Sequence, residues 1–165
     1  MRKAQGSLNS PLLECINPRK DIWRMRFNLE AASDGSASWI EEDFTHQPSI
    51  EEIKAVYDRW SSDETARLIR EGLTYNGSLV WLSIENQTNY KLLHDSAVQS
   101  GGQNLPVRIK LGTDDNPTYV TFTTISEIKT FFSAVTSHIQ SCLELGWQQR
   151  DTFDLDSYIL PSTSI

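Results

Sequence analysis

Residues 72–93 read GLTYNGSLVWLSIENQTNYKLL, and this stretch decides the fold. Asn76-Gly77 sits between two short apolar-rich runs. A type I′ turn needs positive φ at both central residues, which Asn-Gly tolerates best. A two-residue loop here pairs Tyr75 with Ser78 and Leu73 with Val80. Beyond the turn, alternation sends Val80, Leu82 and Ile84 to one face, and Leu79, Trp81 and Ser83 to the other. Large apolar groups on both faces predict a strand that is at least partly covered on both sides. Asn86 then suits a helix N-cap, because its side-chain oxygen can accept from an orphan amide of the first turn. Tyr90, Leu93 and Ala97 follow at helical spacing.

Working outward, Ser49 and Glu52 form a capping-box pattern ahead of Ile50, Ile53, Tyr57 and Trp60. This predicts a helix over 49–71, with a break or kink at Ser61-Ser62-Asp63 and Gly72 just past its end. Downstream, Ser100-Gly101-Gly102 stops the helix over 86–99. Leu105, Val107, Ile109 and Leu111 alternate with polar residues, and Val120 and Phe122 mark a returning strand after the turn-rich GTDDNP. Thr124 and Glu127 repeat the capping-box pattern. Ile125, Ile128, Phe131, Phe132, Val135, Ile139, Cys142 and Leu143 then make a broad apolar stripe, a helix over 124–147. The hairpin-helix at 73–97 has a counterpart 38 residues on, with Leu73 falling on Leu111 and Tyr90 on Ile128. A tandem duplication and the periodicity common to any hairpin-helix unit both produce such a match.

Upstream, residues 11–16 suit a short strand and 17–21 a turn. Trp23, Met25, Phe27 and Leu29 alternate with Ile22, Arg24, Arg26 and Asn28, which is the pattern of a half-buried antiparallel strand. A small-residue loop over 31–38 leads to a strand over 39–44, whose Glu41, Glu42 and Asp43 are placed to face the arginines. The expected class is therefore α+β: an antiparallel sheet from two hairpins (73–84 and 105–123) with helices over 49–71, 86–99 and 124–147. The expected division is a β extension over 1–45, an α+β domain over 46–150 and a tail over 151–165. In that tail Phe153, Leu155, Tyr158, Ile159 and Leu160 either pack back on the domain or form an arm for a neighbour.

The 165 residues suffice for one sizeable core, and 38% hydrophobic content indicates a folded chain. No apolar run is long enough to span a bilayer. The basic start lacks the continuous apolar core of a signal peptide. Net charge is −7, unevenly spread. In residues 1–29, Arg2, Lys3, Arg19, Lys20, Arg24 and Arg26 oppose Glu14 and Asp21, a net +4 that leaves −11 for the rest. The basic part can serve solubility alone or contact an acidic surface, on this chain or a neighbour. Overall acidity argues against nucleic-acid binding. Cys15 and Cys142 stand far apart with no CxxC, which predicts reduced, buried thiols and synthesis in the cytoplasm.

Motifs with chemical potential are sparse. His94-Asp95 is a dipeptide of metal phosphohydrolases, but no further ligands converge with it in sequence. His138 and Cys142 share a helix face without a second ligand pair, and a mid-helix buried cysteine is a poor nucleophile. Glu41-Glu42-Asp43 and Asp114-Asp115 lack the ligand spacing of a calcium loop. There is no glycine-rich phosphate loop and no GxSxG elbow. The expectation is no catalytic residue, no metal site and no cofactor. Trp23, Trp60 and Trp81 are expected in the core, whereas Trp39 and Trp147 are the candidates for surface or interface roles.

The segments "GLTYNGSLVWLSIENQTN", "LPVRIKLGTDDNPTYVTFTT" and "HIQSCLELGWQQRDTFD" come in a familiar order. Over residues 48–154 the chain resembles a domain family of unknown function carried in bacteriophage and prophage tail gene clusters. The shared features are the glycine hairpin and helix start (Gly77 to Asn89), Leu105-Pro106, the threonine-rich strand (Thr121 to Thr124), and Trp147 with Arg150. These motifs are structural, and that family offers no catalytic residues to carry over. The resemblance implies a non-enzymatic tail-associated structural or assembly protein, made in the bacterial host cytoplasm and either built into the virion or not. Its partners would be other phage structural proteins or copies of itself, with no nucleic acid and no membrane insertion. Arg19, Lys20, Arg24, Arg26, Trp39, Trp147, Phe153 and Tyr158 are the expected contact residues. The alternative is a carbohydrate-binding or host-surface adhesion module that uses exposed tryptophans.

Overall fold

A computed structural model describes residues 1–160. The fold is α+β, with three α-helices, one four-stranded antiparallel sheet and two two-stranded sheets among the described residues. It divides into two compact units: Met1–Ser61 with the chain from Gln149 onward, and Ser62–Gln148. No helix among the described residues is long and apolar enough to cross a membrane.

The first unit is built on strands β1 (Arg2–Ser7), β2 (Leu13–Asn17), β3 (Ile22–Ala31) and β4 (Ser36–Phe44), in the order β1-β4-β3-β2. The largest sheet is thus N-terminal rather than made of the two later hairpins. β1 was not foreseen, because RKAQGS has no alternating apolar set; it is held by pairing along β4 from Arg2 with Glu41 to Ser7 with Ser36. Alternation in β3 holds for Met25 and Phe27, which are buried, and fails at Leu29, which is exposed. Asn28 has a φ of +53°, and pairing jumps from Phe27 with Ile40 to Glu30 with Ser38. This bulge puts one extra residue on β3 and turns Leu29 off the core face.

Helix α1 (Ile50–Glu71) opens on the predicted capping box. The Ser49 amide donates to Glu52 Oε2 at 2.8 Å and the Glu52 amide to Ser49 Oγ at 3.2 Å. The expected break at Ser61 does not occur. Ser61 is fully buried within a continuous helix, and no buried side-chain polar atom among the described residues lacks a hydrogen-bond partner. A satisfied hydroxyl has no need to end the helix. Leu13, Met25, Phe27, Ile53, Val56, Tyr57 and Tyr158 form the core of this unit.

In the second unit, β5 (Leu73–Tyr75) and β6 (Ser78–Val80) pair in the predicted register, Leu73 with Val80 and Tyr75 with Ser78. Asn76 and Gly77 take φ of +49° and +79°, as a type I′ turn requires. Gly72, at φ +76°, follows the end of α1; a Cβ there would stand 1.8 Å from the Val80 carbonyl oxygen. The strand then stops at Val80 instead of running on to Ile84. Ser83, not Asn86, is the N-cap of α2 (Ile84–Gln99), accepting from the Asn86 amide at 3.2 Å. Asn86 sits one turn in and donates through Nδ2 to the Trp81 carbonyl at 2.9 Å. Strands β7 (Val107–Gly112) and β8 (Pro117–Phe122) form the second hairpin.

Helix α3 (Ile125–Asp151) starts on the second predicted capping box, with Glu127 accepting from the Thr124 amide at 3.0 Å. It runs past the expected end at Trp147, because Gly146 is helical. A Cβ on Gly146 would stand 2.2 Å from Thr65 Oγ1, so glycine there allows close helix packing rather than termination. The 38-residue spacing holds for Leu73–Val80 and Leu111–Thr118 pairing and for buried Tyr90 and Ile128, Ala97 and Val135. It does not hold for the caps, since Ser83 and Thr124 are 41 apart. Phe131 centres the core, with Tyr75 and Tyr90 edge-on at 5.1 Å each.

Candidate functional site

The expected contact residues separate into two sets. Arg24 and Arg26 lie on the β3 face opposite Met25 and Phe27, across from Asp43 and Glu41. Arg24 makes a bidentate pair with Asp43 at 2.7 and 2.9 Å. Arg26 is buried and donates to Glu41 at 3.2 Å, Glu14 at 2.5 Å and the Pro11 carbonyl at 2.6 Å. Its guanidinium lies 5.5 Å from the centre of the Trp39 ring. Trp39, expected at the surface, is only 3% exposed; it donates to Glu41 at 2.9 Å and covers Gly6, where a Cβ would come within 2.7 Å of the indole. Arg2 reaches Glu41 and Asp43 from β1. Glu42 points the other way, to the chain's N-terminal amine at 2.6 Å and Arg59 at 3.2 Å.

Much of the acidic surface sought by the basic segment is therefore on the same unit, and Arg24, Arg26 and Trp39 are occupied within it. Burial pushes the Glu41 carboxyl up, but hydrogen bonds from Trp39, Arg2 and Arg26 and the charge of Arg24 outweigh it and hold Glu41 below the ordinary range. The Arg24 hydrogen bond does the same for Asp43. Arg19 and Lys20 stand exposed on the β2–β3 turn, with no ion pair among the described residues.

The tail packs back on its own unit. Phe153 stacks on Tyr57 with ring centres 3.7 Å apart, and buried Tyr158 donates to the Arg26 carbonyl at 2.6 Å. Trp147 is 48% exposed on α3. Ile159 and Leu160 are also exposed; residues 161–165 lie outside the described residues.

The titratable candidates do not converge. His46 meets Glu52 at 2.9 Å beside the α1 cap. His94 stacks on Phe132 with ring centres 4.4 Å apart and reaches Asp95 at 3.1 Å. His138 and Cys142 do meet, at 3.6 Å, and burial raises the Cys142 thiol pKa. No group of three or more His, Cys, Asp or Glu among the described residues is placed to hold a metal ion. The clefts around Trp81, Gly6, Phe153 and Phe132 are lined by no histidine.

One cleft combines apolar and polar chemistry. It encloses about 440 Å3 in the second unit, within the range of small-ligand clefts, and is lined by Trp81, Asn86, Tyr90, Lys110 and Asp114 among others. Trp81, expected in the core, is 49% exposed. Alternation explains this: Val80 and Leu82 are fully buried, and Trp81 between them faces the other way. The signal was in the alternation itself, which sets Trp81 on the face opposite Val80 and Leu82. Lys110 and Asp114, at the β7–β8 turn, pair at 2.7 Å. Compared with protein-family models, curated proteins and solved structures, the chain matches none.

Proposed function

We propose that this chain is a non-enzymatic, tail-associated structural or assembly protein of a bacteriophage or prophage, acting through contacts with other phage structural proteins or with copies of itself. The sequence resemblance over 48–154 motivates the reading. The observation that carries it is the outer side of α2: Ile84 is 77% exposed, Leu92 61% and Val98 40%. An amphipathic helix normally turns such residues inward. Here Tyr90 and Ala97 fill the core while a second apolar set stands in solvent. Trp147, Ile159 and Leu160 add exposed apolar area on other elements. Synthesis would take place in the bacterial host cytoplasm, with the virion as one destination. Mass spectrometry of purified virions and of tail intermediates from an induced host tests the reading. Recovery in virions supports a virion component; recovery with intermediates alone supports an assembly factor; absence from both contradicts the proposal.

A second reading, a carbohydrate-binding or host-surface adhesion module, is favoured by Trp81 and Trp147, which expose 49% and 48% of their surface. Trp39 no longer supports it.

A further inference from the structure

We propose that the cleft between the Trp81 segment and the β7–β8 turn is a binding site for a neutral saccharide. The inference rests on the adhesion reading and gives it a site. Tyr90 is 94% buried and wedged edge-on against Phe131, so its ring cannot turn away. Its hydroxyl has no hydrogen-bond partner among the described residues. Yet no fully buried side-chain oxygen or nitrogen there is unpartnered, so the hydroxyl keeps some exposed surface, and Tyr90 is one of the residues that line the cleft. A phenol fixed in this way presents one donor and one acceptor at the cleft wall.

The other groups extend the same chemistry. Trp81 offers a half-exposed indole, a flat apolar platform for the C–H face of a sugar ring. The Asn86 amide nitrogen is committed to the Trp81 carbonyl at 2.9 Å, which fixes the side chain and leaves its oxygen as an acceptor. Lys110 and Asp114, paired at 2.7 Å, supply donors and acceptors at the mouth. Their charges cancel and no other lining residue is ionic, so the cleft carries no net charge to attract an anion or a cation. An apolar platform facing several hydroxyl-competent groups, with no net charge, is the complement of an uncharged polyol ring.

The test probes a printed array of neutral and acidic glycans with the full chain, then titrates the strongest glycan by tryptophan fluorescence. The expected result is binding of neutral glycans, weakened at least about tenfold by Trp81→Ala. Tyr90→Phe keeps the ring and its packing and should weaken binding about fivefold with an unchanged thermal transition. Trp147→Ala should leave it unchanged. Binding that survives Trp81→Ala and Tyr90→Phe but is lost in Trp147→Ala overturns this site and spares the adhesion reading. Binding of acidic glycans alone overturns the neutral assignment. No binding to any glycan overturns both the site and the adhesion reading.

Discussion

The Tyr158 hydroxyl donates to the backbone carbonyl of Arg26 at 2.6 Å, across 132 residues of sequence. The bond ties the C-terminal stretch to β3, an interior strand of the first unit's sheet, and Phe153 and Leu155 pack into the same core. This stretch belongs to the fold of that unit rather than being a free arm. Tyr158→Phe removes only the bond and should cost about 1 kcal/mol. Tyr158→Ala also empties the site and should cost about 3–5 kcal/mol. Urea unfolding of the two variants gives both values.

Acid should weaken the first unit through Glu41 and Asp43. Both carboxyls titrate below their ordinary values of 4.5 and 3.8, so the unfolded chain takes up protons before the folded one. Their contribution is complete above those ordinary values and is lost as pH falls through the lower folded ones. Stability measured between about pH 5 and about pH 3 should therefore drop, and Glu41→Gln should flatten the slope. At neutral pH that variant should cost about 3 kcal/mol, because it weakens the partnership of a buried arginine.

Gly72 and Gly35 both have positive φ, +76° and +82°, but different surroundings. A Cβ at Gly72 meets the Val80 carbonyl, whereas one at Gly35 meets nothing within 4 Å. Gly35→Ala should cost only the backbone term, about 1 kcal/mol. Gly72→Ala must also displace the β5–β6 hairpin and should cost at least about 2 kcal/mol. Thermal unfolding of the pair separates the two effects.

Cys142 should resist modification. It is 8% exposed and burial raises its pKa, so little thiolate is available at neutral pH. A thiol-reactive dye at pH 7 should label Cys142 only at the rate of unfolding. Fast labelling in the native state would revive a reactive-thiol role.

Short-range chemistry was the legible part of this fold. Ser49 with Glu52, Thr124 with Glu127, and Asn76-Gly77 each carry their partners within four residues, and all three appear as read. Where two local solutions compete, sequence does not choose: Ser83 and Asn86 both suit an N-cap, and the structure uses Ser83, with β6 ending at Val80. Long-range pairing was less visible still. β1 exists because β4 offers it an edge, and Trp39 is buried because Gly6 leaves room beneath its ring. The facing of Arg24 and Arg26 toward Asp43 and Glu41 was readable from alternation, but Glu42 belongs to the other face by the same rule. The Trp81 cleft was hidden for a further reason: it joins residues 81–90 to 110–114, a proximity set by packing rather than by motif.

Cross-linking mass spectrometry on purified particles and tail intermediates tests the proposed tail association most directly. Lys91 reports on the exposed side of α2, since its amine stands in solvent beside Leu92 and, among the described residues, pairs with Asp95. A tail-associated chain should give cross-links from Lys91 to another phage structural protein or to a second copy of this chain. Recovery of the chain as a monomer, with Lys91 linked only to its own residues and the protein missing from particles and intermediates, would contradict that association.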